Sequence, residues 1–390
     1  MAEFFSHSKE KFLILDVAPQ SASALFLDFD EHRELILKKV IENLDLKKFL
    51  AAQAGSIFQK SWEGNYFFNS RRQLVVLADA SLATTIPIPL DFKRDAETAD
   101  SPVTQGEVED WFARATAKIF AGCRLEASRR LRTSDVDTVL VNQRVDRIAI
   151  DGRATVDPIG HSGKKISFVI ELTFANRELS ELLMPFFNAP GEFFFAEAPQ
   201  ARLAALARIR SLPINIITVR DRSRSSLFVF QEAEQGCPVV YREPFLWDGF
   251  AIIRSIAEDL GISEGLAEEI YDAYIHGALS DAAKKHFDAF AVFPVKQFLQ
   301  AIDKASLRGP VYVDAPRDLP VALPYRRRHA AIEDIPIEAL LKKFGFSAGD
   351  GTSISSRVAL RYLAPFFELY FDNNRSELNE LLRKKLHWLA

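Results

Sequence analysis

Three strand-like segments follow one another between residues 11 and 41, before any apolar residue recurs at helical spacing. Phe12-Leu13-Ile14-Leu15 is an apolar run ending at Asp16, Ala22 to Phe29 is a second extended stretch, and Arg33 to Ile41 a third. The polar stretch Asp28 to His32 supplies the turn between the last two. Leu44, Leu46, Phe49 and Leu50 then begin a helix of the first layer, and Leu74-Val75-Val76-Leu77-Ala78 reads as a short buried strand. The opening recurs later. Ile214 to Val219 and Leu227 to Phe230 bracket a polar loop, Val239-Val240-Tyr241 is another strand, and from Trp247 onward the chain reads as mostly helical, broken by one strand at Val311-Tyr312-Val313. The expected fold class is α/β, assembled from two related halves that each open with a hairpin of strands.

Between the halves lies a stretch with its own pattern. Ile86-Pro87-Ile88-Pro89 is extended and, with two prolines, belongs at a sheet edge. Residues 93–102 read as a polar linker. Thr104 is the expected N-cap of a helix and Glu107 completes a capping box, after which Val108, Trp111, Phe112 and Ala115 share one face. Strands follow at Thr138 to Val141, Arg147 to Ile150 and Lys165 to Phe174, with a tight turn at Asp157-Pro158-Ile159-Gly160-His161-Ser162-Gly163. Glu178 to Phe187 and Gln200 to Arg210 read as helices. The clusters Phe186-Phe187 and Phe193-Phe194-Phe195 are assigned to packing.

Composition removes several function classes. Lys+Arg 49 against Asp+Glu 53 gives a net charge of −4, so no basic field points to nucleic acid. Cys123 and Cys237 are the two cysteines, too few for a disulfide framework or a cysteine-rich metal site. The seven histidines show no metal-ligand spacing, and His161 is assigned to an exposed turn. There is no Gly-x-Ser-x-Gly elbow, Walker loop or Gly-x-Gly-x-x-Gly. Arg326-Arg327-Arg328-His329 reads as a solvated basic run. The start lacks a secretory signal, and no stretch approaches the roughly 20 apolar residues that span a bilayer. A cytoplasmic protein, soluble or attached to the inner face of the cell membrane, is expected.

Val103-Thr104-Gln105-Gly106-Glu107-Val108-Glu109-Asp110, the turn Asp157 to Gly163, and Asp248-Gly249-Phe250 to His276-Gly277-Ala278 come in the order and spacing of the FtsA/PilM family of bacterial actin-like ATPases. The chain resembles that family from about Lys11 to about Phe371. The resemblance implies an actin-like fold of duplicated ribonuclease H-like halves, two lobes around a cleft, with an inserted α+β subdomain. It divides the chain into 1–78 (first lobe), 79–176 (insertion), 177–210 (return to the first lobe), 211–374 (second lobe) and 375–390 (an amphipathic helix). It also implies ATP with Mg2+, self-association into filaments, an anionic membrane surface, and the tubulin-like division protein FtsZ as partner. For a PilM-like cytoplasmic platform the partner is instead a pilus-assembly peptide.

The nucleotide loops are where this chain departs from the family. Phosphate cradles need bare backbone N–H groups and hence glycine. The first loop carries Asp16, Gln20 and Ser21, but Ala18 stands at the family's glycine and Pro19 removes a donor. In the second, the family's Asp-x-Gly-Gly-Gly-Thr is replaced by Val219-Arg220-Asp221-Arg222-Ser223-Arg224-Ser225-Ser226, with Asp221 and Ser223 as its candidate contacts. The adenine-side Gly-Gly becomes Asp314-Ala315-Pro316-Arg317. Asp16, Gln20, Ser21, Asp221, Ser223, Asp314 and Arg317 are thus the candidate residues of a degenerate pocket. A pseudo-ATPase is the expectation, and a working ATPase with altered loops the alternative.

From Ser376 the chain reads as an amphipathic helix. Leu378, Leu381, Leu382, Leu386, Trp388 and Leu389 gather on one side at about 100° per residue, flanked by Arg383 and Lys384. That is the composition of an in-plane membrane helix; a helix packed on the second lobe is the alternative.

Overall fold

The structure, a computed structural model, describes residues 10–19, 21–58, 72–187, 193–220, 225–232, 238–321, 325–327, 330–349, 351–371, 378, 379, 381 and 382. The chain divides into two units: Met1–Ala201 with Gly345–Ser353 and Pro365–Ala390, and Arg202–Phe344 with Ile354–Ala364. Residues 345–353 and 365–371 belong to the first unit.

In the first unit, β1 (Glu10–Ala18), β2 (Ser21–Phe29) and β3 (Glu34–Leu44) form an antiparallel meander. Helix α1 (Leu46–Phe58) leads into β4 (Arg72–Ala78), which joins β1 in parallel. An inserted sheet is built from β5 (Ala83–Lys93), β6 (Thr138–Ile150), β7 (Arg153–Thr155) and β8 (Lys165–Asn176), in the order β5-β8-β6-β7. The two prolines of β5 sit on an edge strand, where no ladder N–H is lost. The polar stretch after β5 holds one short helix, α2 (Ala96–Ala99), and then α3 (Gln105–Leu131), which covers the sheet through Val108, Trp111, Phe112 and Phe120. After α4 (Arg177–Phe187), β9 (Phe193–Glu197) pairs in parallel with β4, and α5 (Ala198–Ala207) follows.

The second unit repeats the frame. Strands β10 (Ile214–Thr218), β11 (Ser225–Glu232) and β12 (Pro238–Phe245) are antiparallel. Helices α6 (Ala251–Leu260), α7 (Glu264–Ile275) and α8 (Asp281–Lys304) precede β13 (Gly309–Asp314), which is parallel to β10. A hairpin of β14 (Tyr325–Arg327) and β15 (Ala330–Ile332) extends the sheet and α9 (Ile337–Phe344) follows; β16 (Ser347–Ala348), back in the first unit, pairs with β3. Then come α10 (Ser356–Val358), a π-helical turn (Ala359–Leu363) and α11 (Ala364–Tyr370).

The two large sheets are β16-β3-β2-β1-β4-β9 and β12-β11-β10-β13-β15-β14; in each the sheet's first three strands in chain order are antiparallel neighbours and the next two positions beyond the first strand run parallel to it. This duplicated ribonuclease H-like frame is the actin-like fold expected from the sequence. Strands β7, β9, β14, β15 and β16 were not expected, and the strands expected at 138–141 and 147–150 are one, β6.

The two signature stretches of the insertion are one joint. Val103 N–H donates to the His161 carbonyl at 2.8 Å and Gly160 N–H to the Val103 carbonyl at 2.9 Å. Gly160 has φ +82°, and a Cβ on Gly163 would lie 2.3 Å from the Ile150 side chain, so both glycines are required. The capping box of Thr104 and Glu107 is present. Buried Arg94 grips both oxygens of Glu107 at 3.1 and 3.2 Å and donates to the Ser101 carbonyl at 2.8 Å. Burial pushes the Glu107 carboxyl up, but the Thr104 N–H and Arg94 outweigh it and hold it below its ordinary value. A carboxyl lowered on folding contributes stability above its unfolded value, and that stability is lost as pH falls through the folded one. Arg94→Ala should therefore cost about 1–3 kcal/mol at neutral pH, and less at about pH 3, in urea unfolding at both pH values.

Candidate functional site

In the first unit the β1–β2 ladder continues to the pair Ala18 and Ser21, with Asp16 opposite Ser23. The hairpin closes on two residues, and Pro19 has no N–H to give. An extended cradle over 16–23 is thus replaced by paired strand. Asp16 is buried and Ser21 exposed; Gln20 lies outside the described residues.

In the second unit β10 ends at Thr218, which pairs with Asp314 of β13 and Ser226 of β11. The carboxylate at this end of the sheet is carried by β13. Asp221 and Ser223, the candidate residues of the β10–β11 loop, lie outside the described residues. The flanking backbone is engaged: Val219 N–H donates to the Asp314 carbonyl at 2.8 Å, Arg220 N–H to Ser225 Oγ at 3.2 Å, and Gly249 N–H to the Arg220 carbonyl at 3.1 Å.

Asp314 itself is turned inward. Its side chain is 1% exposed, and its Oδ2 meets Arg202 Nη1 of α5 at 2.5 Å, with Arg202 fully buried. Arg202 also donates to the Arg361 carbonyl at 3.3 Å. Arg220 Nη1 approaches the same Asp314 oxygen at 3.7 Å, so this loop arginine is aimed at a protein carboxylate. The next four residues are held in turn. Ala315 is buried in the apolar cluster of α6, α7 and α8. The Pro316 carbonyl accepts from Arg357 Nη1 at 2.9 Å. Arg317 Nε donates to Asp272 Oδ1 at 3.2 Å and its Nη2 pairs with Glu268, both on α7. The Asp318 carbonyl accepts from the Tyr271 hydroxyl at 2.7 Å. Asp314 and Arg317 are thus near one another in sequence but serve different internal partners.

Sequence reasoning missed Arg202. The signal was available: Ala198 and Leu206, one helical turn to either side, are both buried, so a charge on that face requires a buried partner.

The C-terminal leucines are also placed by protein. Leu378, Leu381 and Leu382 are buried in the core of the inserted sheet with Phe112, Phe168 and Phe174. They are not available to lipid here, and their seat is the inserted sheet of the first unit, not the second lobe. Leu386, Trp388, Leu389, Arg383 and Lys384 lie outside the described residues. No helix among the described residues is long and apolar enough to cross a membrane.

No family model and no curated protein matches the chain. Solved structures do. A PilM–PilN type IV pilus biogenesis complex is 12% identical over 96% of this chain and 98% of that one, with a TM-score of 0.40. A Bacteroides thetaiotaomicron protein of actin-like ATPase fold and unknown function is 11% identical over 82% and 86%, TM-score 0.33. The cytoplasmic domain of EpsL, an inner-membrane component of the Vibrio cholerae type II secretion system, is 9% identical over 86% and 94%, TM-score 0.33.

Proposed function

We propose that this protein is an actin-fold scaffold of the FtsA/PilM kind that works through protein contacts without an ATP cycle. The observation that carries this reading is the segment after β13. From Asp314 to Asp318, every residue is tied to an internal partner or buried in the core. A nucleotide loop needs the opposite, backbone left open to approach. Asp16 and Ser21 fit ATP·Mg2+ no better, because Pro19 and the closed hairpin leave few N–H donors for phosphate. The residues at hand do not suit the group the fold would imply.

Between the two partner classes, the burial of Leu378, Leu381 and Leu382 on the inserted sheet favours a cytoplasmic platform over a lipid-anchored scaffold. A platform of the pilus or secretion kind needs partner peptides and no membrane helix.

The test is ligand linkage. A ligand present at 100 times its Kd stabilises the folded state by about 2.7 kcal/mol, several degrees of thermal midpoint in a chain of this size. Millimolar ATP with Mg2+ should leave the midpoint unmoved; a rise of several degrees would refute the reading.

A further inference from the structure

We draw no further inference here: the strongest candidate, the exposed apolar patch of the second unit formed by Leu246 after β12 and by Val292 and Phe293 of α8, beside the hydrogen bond from Trp247 Nε1 to the Pro294 carbonyl, carries nothing because nothing in the structure shows what covers it.

Discussion

Arg202→Met should cost about 3–5 kcal/mol in urea unfolding, the penalty for leaving a buried carboxylate without its closest cation. Arg202 and Asp314 are both fully enclosed, at 2.5 Å, so water cannot replace the lost partner. Arg220, at 3.7 Å, is too far to substitute for it fully. Asp314→Leu in the same chain should restore most of the loss, because an apolar pair of similar volume is close to neutral at such a site. Were Arg202 a surface residue, as its charge suggests in the sequence, the single change would cost under about 0.5 kcal/mol. The pair's coupling is then read directly as the departure of the double variant from additivity.

The second large effect is at the return of the chain to the first sheet. Phe366→Ala should destabilise the first unit by about 3–5 kcal/mol. Phe366 of α11 meets Phe12 of β1 edge-on at a centroid separation of 4.8 Å and Tyr370 at 5.6 Å. Phe29 stacks on Phe12 at 5.3 Å, and Phe346 meets Phe29 at 5.1 Å. Removing the central ring empties a site ringed by aromatics that cannot collapse into it. A cost below about 1 kcal/mol would mean that 365–371 is not part of this core.

Much of the frame was legible because it is written locally. The β1–β2–β3 meander, the β5 edge with its two prolines, the capping box at Thr104 and the glycine turn at 157–163 each depend on residues a few positions apart. What was not legible depends on partners far away in the chain. β16 is two exposed residues, Ser347 and Ala348, recruited by β3, and β14 and β15 have three residues each, too short for any period to show. Asp314 reads as a loop-end carboxylate, and only the fold brings a helix arginine 112 positions away to it. The tail illustrates the same limit, since an apolar arc suits a lipid surface and a protein groove alike. Asn379, on the face of Leu378 and Leu382, was the residue that separates them: a buried amide requires a polar partner that hydrocarbon cannot provide.

The central claim is that the closed β1–β2 hairpin and the segment from Asp314 to Asp318, tied to the protein itself, leave no seat for ATP, as the proposed scaffold without an ATP cycle requires. Calorimetric titration of the full-length chain with ATP and Mg2+ tests it most directly. We expect no saturable heat corresponding to a Kd tighter than about 1 mM, whereas a micromolar Kd, about −8 kcal/mol, would contradict it.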